Sequence, residues 1–240
     1  CRREGIDFIL AVGGGSVIDS AKGIGMGVAT GRDPWEFAST GAAPDKTLPV
    51  ATVLTLAASG SETSNSCVLT NEETREKRGI TSQTNRPRIS FLNPENTFSV
   101  SKFQTGCGIV DIMMHTLERY LTPKGGESDI TDRLAEGLLI ATRDAGRRAL
   151  ANPNDYEARA SLMWAGSVSH NDYTGCGRAR LFPVHKLEHE LSAFRDEIAH
   201  GAGLSVLFPA WALYEMKRDI PRFAQLANRV LCPWGDEYRQ

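Results

Sequence analysis

The chain has 240 residues, a formal net charge of −2 and 41% hydrophobic residues, values that are ordinary for a soluble protein of one large or two small domains. The balanced charge gives no electrostatic case for binding nucleic acid or an anionic membrane, and no apolar run approaches the roughly 18–20 residues that cross a bilayer. The five cysteines are scattered without a Cys-x-x-Cys pair, so we expect a protein of the reducing cytoplasm rather than a disulfide-bonded one.

Strand and helix patterns alternate along the first hundred residues. A short apolar run at residues 6–12 predicts a strand buried on both faces of a parallel sheet. A glycine-rich turn, a helix over residues 17–26 and a second buried strand over residues 48–56 follow. Shorter strands are predicted at residues 68–70 and 89–92. This order is typical of the doubly wound α/β fold.

The pattern changes near Ser101, because apolar residues then recur at helical spacing. Helices are predicted over residues 104–120, 130–150, 155–169 and 220–231. We therefore predict an α/β domain over residues 1–100 and an all-helical domain over residues 101–240. Neither end of the chain has the features of a natural domain end, so we expect the N-terminal part of the first domain and the C-terminal part of the second to lie outside this sequence.

A glycine-rich run, formed by Gly13, Gly14, Gly15 and Ser16, separates the first strand from the first helix. Glycines there let the backbone approach a phosphate, and the N–H groups at a helix start attract anions. The run departs from the standard fingerprints, because Ile18 stands where the Rossmann pattern needs glycine and Ala21 precedes Lys22. The alternative is a tight turn with Ser16 as N-cap and Asp19 as its capping-box partner. Spacing alone leaves both interpretations open.

Two further segments carry polar or charged side chains. The loop at residues 55–62 ends the second strand and offers hydroxyl groups at Thr55, Ser59 and Ser61; the residues alone favour a helix-capping role for it. Lys77 and its neighbour Arg78 lie in the charged stretch at residues 71–78. Such a stretch is usually a solvated turn.

Asp111 and His115 are spaced i, i+4, so on a helix their side chains point the same way. A lone pair of this kind is more often a surface hydrogen bond than a chelate. Here the neighbouring residues are apolar, which indicates a buried helix in which a carboxylate and an imidazole both need a partner. The pair is therefore a candidate metal chelate.

Other imidazoles follow at His185, His189 and His200, whereas His170 stands apart and is expected to be structural or solvated. One aspartate and three histidines form a typical ligand set for a divalent metal. Spacing alone does not choose among the three later histidines. A zincin is disfavoured, because Ala193 stands where that motif needs its second histidine after His189.

Several motifs resemble the iron-containing (group III) alcohol dehydrogenases. Residues 13–22 match the family signature GGGSxxDxAK. The Asp111–His115 pair and the segments HKLEHELSA and AHGAGLS are similar to the family's metal region. The resemblance extends over most of the chain and is strongest with the butanol dehydrogenase and NADPH-dependent aldehyde reductase branch. It implies a Rossmann-like, dehydroquinate synthase-like nucleotide-binding domain followed by an all-α metal-binding domain.

The resemblance also implies a role for each candidate residue. The cofactor would be held by Gly13, Gly14, Gly15, Ser16, Asp19, Thr55, Ser59, Ser61 and Lys77, with Asp19 near the nicotinamide end and Arg78 as the alternative to Lys77. The metal ligands would be Asp111, His115, His185 and His200. His189, one helical turn beyond His185, would be a proton-relay residue, and it and Asp19 are the candidate catalytic residues.

The activity that the resemblance implies is hydride transfer between NAD or NADP and a small alcohol or aldehyde. It implies Fe²⁺, with Zn²⁺ as the alternative, as a Lewis acid, and a homodimer. Two other functions stay open. One is a metal- and NAD-dependent lyase like dehydroquinate synthase, which would need clustered Lys and Arg near the histidines. The other is an inactive fragment that binds nucleotide or metal.

Overall fold

The computed structural model describes residues 1–121, 128–179 and 181–231. Its central sheet has three parallel strands, β1 (Ile9–Gly13), β2 (Val50–Leu54) and β5 (Ile89–Phe91), in the order β1-β2-β5. The helix α1 (Gly15–Thr30) follows β1 directly. Each predicted strand is present with slightly different bounds, and α1 is longer than predicted at both ends.

The two faces of the sheet differ in burial. One face packs under α1, where Ile18 is fully buried against Ala11 and Leu54. The other face carries exposed apolar side chains at Leu10, Val12, Ile89 and Phe91. The predicted burial of the first strand on both faces is therefore wrong for this structure, because nothing in the described residues covers the second face.

A second, antiparallel sheet pairs β3 (Ser66–Asn71) with β4 (Glu76–Thr81). The predicted charged turn at residues 71–78 is thus partly wrong, since its last three residues belong to β4. The strand escaped prediction because it opens with three charged side chains. A short helix, α2 (Pro34–Thr40), was also not predicted, although Asp33 caps it, proline opens it and glycine follows it.

The rest of the described chain is helical. It comprises α3 (Lys102–Leu121), α4 (Asp129–Ala151), α5 (Tyr156–His170), α6 (Pro183–Phe194), α7 (His200–Met216) and α8 (Ile220–Leu226), followed by a π-helical turn, Ala227–Leu231. Four of these agree closely with the predicted segments, apart from the π turn. The change from strands to helices falls near residue 100, and the division into two domains stays a prediction.

Helix α3 packs between α4, α5 and α7. Its buried residues Met114, Leu117 and Tyr120 join Leu139 and Leu204 in the main helical core. Asp111 and His115 therefore lie on a helix that is enclosed by other helices, as their apolar neighbours predicted. Within the described residues, no helix combines the length and apolar character needed to cross a membrane. The four described cysteines are free thiols.

Candidate cofactor and metal site

The glycine run and the second loop meet at the carboxyl ends of adjacent strands. The backbone N–H of Thr55 donates to the carbonyl of Gly13 at 3.1 Å. A Cβ atom added at Gly15 would lie 2.3 Å from Ser59 Oγ, so the two loops are in direct contact. In open α/β sheets this edge is where nucleotides bind.

The start of α1 has no side-chain cap. Its N-cap residue is Gly14, with φ −87° and ψ −167°, and Ser16 is exposed within the first turn. The capping box considered as the alternative interpretation is therefore wrong, since the carboxylate of Asp19 has other partners. The first N–H groups of α1 are left for another acceptor, and a phosphate is a suitable one.

The side chains of Asp19, Lys22 and Ser61 bind one another. Lys22 is fully buried, and its Nζ donates to Ser61 O at 2.7 Å, Ser61 Oγ at 2.8 Å and Ser66 O at 2.7 Å. Ser61 Oγ donates to Asp19 Oδ1, and the Val68 N–H donates to Asp19 Oδ2 at 2.9 Å. Burial raises the pKa of Asp19, against the opposing charge of Lys22 and the Ser61 hydrogen bond.

These bonds decide which predicted loop hydroxyls face outward. Ser61 is buried and its hydroxyl is engaged by Asp19 and Lys22, so its predicted contact with the cofactor would be indirect. Thr55 and Ser59 are partly exposed on the loop. The residues of the GGGSxxDxAK signature thus divide into backbone groups that line the loop and side chains that hold it in place.

Lys77 connects the α/β part with the helical part. It lies on β4, and its Nζ donates to Ser192 Oγ on α6 at 2.9 Å and is 3.9 Å from Glu188 Oε2. Its charge acts to lower the pKa of both Asp19 and His189, but at Asp19 burial outweighs this effect and the pKa stays raised. Arg78, the alternative, is exposed and pairs with Glu76.

The predicted metal ligands gather around one carboxylate oxygen. Asp111 Oδ1 on α3 is 3.4 Å from His185 Nε2 on α6, 3.6 Å from His200 Nε2 at the start of α7 and 3.7 Å from His115 Nδ1. Ligands bonded to Zn²⁺ at about 2.0–2.2 Å in a tetrahedron lie roughly 3.3–3.6 Å apart. Asp111, His185 and His200 offer atoms that all lie within 4.8 Å of one another; His115 is beside this group but not in it.

The chemistry of this set fits a divalent metal. His115 Nδ1 is buried without a hydrogen-bond partner among the described residues, a costly state for a polar atom. Burial, and then the nearby His170, hold the pKa of His115 well below its usual value, so the ring is neutral and able to ligate. Burial acts to raise the pKa of Asp111, but the nearby His200 and His185 outweigh it and lower that pKa.

His185 has the opposite behaviour in the absence of a metal. Burial lowers its pKa, but hydrogen bonds to Asp111 and Glu118 outweigh that effect and raise the pKa to about 9. Metal binding at neutral pH therefore has to displace a proton from this ring.

Two further histidines line the cluster. His170 stands apart in the sequence and was expected to be structural or solvated. It is half-buried beside the cluster, with its ring centroid 4.2 Å from that of His115 and its Nδ1 3.3 Å from Arg119 Nη2, which agrees with a structural residue rather than a solvated one. No sequence motif linked it to His115, and helix packing brings them together. His189 lies beside the ligands, with its ring 5.5 Å from that of His200. Burial, and then the charges of His200 and Lys77, lower the pKa of His189 to about 3.

Two buried glutamates next to the histidines were missed by the sequence analysis. His185 Nδ1 bonds to Glu118 Oε1 and His200 Nδ1 bonds to Glu188 Oε2. Both glutamates are fully buried. The sequence did contain a signal. Glu118 follows His115 by three residues and therefore shares its face of α3, and Glu188 follows His185 by three residues and shares its face of α6.

Comparisons with known proteins identify the family of the chain. Residues 1–94 match the profile of iron-containing alcohol dehydrogenase, and residues 105–238 match that of the Fe-containing alcohol dehydrogenase family, C-terminal. The chain is 42% identical to NADH-dependent butanol dehydrogenase A of Clostridium acetobutylicum over 98% of its own length and 59% of that protein. It is 36% identical to the NADPH-dependent aldehyde reductase YqhD of Escherichia coli, over 95% of this chain and 59% of that protein.

A solved structure is similar over nearly the whole chain. The crystal structure of NADH-dependent butanol dehydrogenase A from Thermotoga maritima superposes with a TM-score of 0.93 and 36% identity, over 99% of this chain and 59% of the other. The chain thus spans about three fifths of the length of these relatives. The resemblance noted from the sequence, including its branch, is confirmed.

Proposed function

The chain belongs to the iron-containing alcohol dehydrogenase family, and we propose that the protein transfers hydride between NAD(P) and a small alcohol or aldehyde. The observation that carries this proposal is the meeting of Asp111, His185 and His200, from three different helices, beside His115. The names of the relatives, butanol dehydrogenase and aldehyde reductase, support the same substrate class.

The cofactor would lie along the edge where the two loops meet. The uncapped N-terminus of α1 would bind the pyrophosphate through backbone N–H groups of Gly14, Gly15 and Ser16. Gly13, Thr55 and Ser59 form the adjoining loop surface. Asp19, fixed by Ser61 and Val68, and Lys77 lie toward the helical part and would border the nicotinamide end.

Asp111, His115, His185 and His200 would hold Fe²⁺, or alternatively Zn²⁺. When bound, such an ion acts as a Lewis acid toward a substrate oxygen. The enclosing helices bury Asp111, His115 and His185 and so fix these ligands before substrate arrives. Binding and orientation are the contribution of the protein, since the nicotinamide carries the redox chemistry.

His189 is our candidate for moving the proton that accompanies hydride transfer. Its low pKa, caused first by burial, keeps the imidazole neutral at physiological pH. A neutral ring accepts a proton on one nitrogen while it donates one from the other, so it suits a relay rather than a proton store. Its position beside His200 puts it next to the ligand cluster.

The finer properties are proposals as well. One relative is named for NADH and another for NADPH, and we propose that this protein uses one of these two nicotinamide cofactors. We propose Fe²⁺ as the metal, a homodimer, and the cytoplasm as the compartment, from the family resemblance and the four free cysteines among the described residues. We also propose residues 1–100 and 101–240 as the two domains.

No described feature favours the lyase alternative. Two cationic groups contact the histidine cluster or its neighbours: Arg119, whose guanidinium bonds to the Ser169 carbonyl and to His170, and Lys77, which bonds to Ser192. Both are committed to the protein's own atoms, and they are not grouped to hold a phosphate and a carboxylate together.

The decisive experiment combines metal analysis with an activity assay on the complete protein. Purified protein should contain about one Fe²⁺ or Zn²⁺ per chain, and it should oxidise NADH or NADPH with short aldehydes such as butanal. A complete protein that carries the metal but turns over no member of an aldehyde and alcohol panel would contradict the proposed activity.

A further inference from the structure

Two buried carboxylates stand behind the metal cluster, each in contact with a different histidine. Glu188 on α6 accepts a hydrogen bond from His200 Nδ1, and Glu118 on α3 accepts one from His185 Nδ1. In both rings the opposite nitrogen, Nε2, lies 3.4–3.6 Å from Asp111 Oδ1. Each imidazole is thus held between a carboxylate on one side and the predicted metal position on the other.

A neutral histidine ring that donates from Nδ1 presents Nε2 as its lone-pair nitrogen. Carboxylates that accept the second N–H of a metal-bound histidine fix its tautomer and ring orientation and make it a better donor to the metal. We propose that Glu118 and Glu188 are positioning residues for the metal, which set the Nε2 atoms of His185 and His200 toward Asp111. This inference rests on the proposed function, because it needs a metal in that cluster.

The surroundings of Glu188 indicate that its location is specific. The side chain is fully buried, and Oε1 has no hydrogen-bond partner among the described residues. Its Oε2 is bonded to His200 and is 3.4 Å from Ser192 Oγ and 3.9 Å from Lys77 Nζ. A buried carboxylate is costly unless it is paired, and His200 is the partner that lies closest.

Glycine makes room for this carboxylate on α7. A Cβ atom added at Gly203 would lie 2.8 Å from Glu188 Cγ and 3.0 Å from its Oε1. Alanine at that position would therefore displace the Glu188 side chain from His200 while leaving the carboxylate in the protein.

Glu118, unlike Glu188, also caps the start of a helix. It also accepts the Val184 N–H at 2.6 Å and the His185 N–H at 3.3 Å, and so serves as the N-cap that α6 lacks in its own sequence. Replacing Glu118 would weaken the start of α6 as well as the tautomer of His185. Glu188 is therefore the cleaner position for a test.

The test measures the affinity of the complete, metal-free protein for Zn²⁺ by competition with a chromogenic chelator. Loss of a carboxylate behind a metal-bound histidine costs about 10–100-fold in metal affinity, and we expect Glu188→Ala to lose that much. Glu188→Gln should retain most of the affinity, because its amide oxygen still accepts the Nδ1 hydrogen. Glu190→Gln, an exposed position two residues further on the same helix, should match the parent.

A spectroscopic measurement separates positioning from a merely structural effect. The visible absorption bands of the Co²⁺-loaded protein report ligand geometry, so they should shift in Glu188→Ala and not in Glu190→Gln. Gly203→Ala, which also increases helix propensity, should lower Zn²⁺ affinity at least severalfold, and it decides the matter if Glu188→Ala does not fold. Zn²⁺ affinity within twofold of the parent in every folded variant among Glu188→Ala and Gly203→Ala would overturn the inference.

The Asp111→Ala variant distinguishes this failure from a failure of the proposed function. If Asp111→Ala loses the metal while Glu188→Ala and Gly203→Ala bind it like the parent, only the positioning role is wrong. If Asp111→Ala keeps the metal, the ion lies elsewhere, and both the proposed function and this inference fall.

Discussion

The two halves of the candidate site use their polar side chains in opposite ways. Around the glycine loop, the charged side chains of Asp19 and Lys22 both bond to Ser61 inside the protein. The backbone N–H groups of the loop are thus left for a ligand. Around the metal cluster, the side chains of Asp111, His185 and His200 themselves converge, and the backbone serves only to present them.

This difference explains what each half requires of the fold. The loop itself is built from residues that are adjacent in sequence, and the side chains of Asp19 and Lys22 then hold it against Ser61 and Ser66. The metal cluster joins residues from α3, α6 and α7, so it exists only when three helices are packed. Damage to the first half should therefore affect cofactor affinity locally, whereas damage to the second should remove metal and turnover together.

The largest effect is expected from Asp111→Ala. Asp111 Oδ1 is the atom around which the three imidazoles gather, so its loss should reduce bound metal from about one per chain to near zero. Turnover should fall at least about a thousandfold, since a metal's Lewis acidity contributes several kcal/mol. Elemental analysis and an NAD(P)H assay measure both quantities, with Glu190→Gln as the control. Normal metal content in Asp111→Ala would show that the metal is not held by the cluster around Asp111, and the comparison of the two halves of the site would then be wrong.

The next effect concerns stability rather than activity. Lys22→Met removes the buried cation that binds Ser61 and Ser66 and faces Asp19, and breaking a buried pair in this way costs about 3–5 kcal/mol. Urea denaturation of the complete protein measures the change. Lys46→Met, at an exposed position, should stay within about 0.5 kcal/mol of the parent. Equal stability of the two variants would show that the side chains of the loop half do not hold it together.

The extent of sequence prediction follows the same division. The strand–loop–helix arrangement was predictable because the apolar run of the strand, the glycines of the loop and the helical pattern follow one another directly within residues 6–26. Spacing alone predicted Asp111 and His115 as a pair but left three later histidines open, and only the family resemblance chose among them. The contact of His170 with His115 and the glutamates behind the ligands were missed, because packing of helices distant in sequence creates them. The apolar pattern of β1 predicted burial of both faces of the strand, because such a pattern does not specify which element covers each face.

A third prediction tests the cofactor half alone. Gly14→Val places a side chain at the N-cap of α1, where an added Cβ meets only Leu56 at 3.3 Å, so the protein should fold. The valine would block close approach of a phosphate. NAD(P)H affinity should fall about 10–100-fold, the loss of one hydrogen bond to a charged group, with bound metal unchanged.

Fluorescence titration with NADH or NADPH measures this affinity. Gly137→Val is the matched control, since Gly137 is exposed on α4 and an added Cβ there meets nothing within 4 Å. Unaltered cofactor affinity in a folded Gly14→Val protein would favour the tight-turn interpretation of the glycine run. Loss of metal together with cofactor would show that the two halves are not independent.

The smallest effect is expected from His189→Ala, which lies where the two halves meet. His189 is next to His200, and the charge of Lys77 lowers its pKa, yet we assign it neither to the metal nor to the cofactor. Its loss should leave metal content unchanged and slow turnover about tenfold, less than the 10²–10⁴ of a direct general base, because water can replace a relay.

The same structure offers a competing assignment, since Glu188, His189 and His200 also place ligand atoms within 4.8 Å of one another. Metal analysis of His189→Ala beside His185→Ala decides between them. If His189→Ala loses the metal and His185→Ala keeps it, the roles of these two histidines are exchanged.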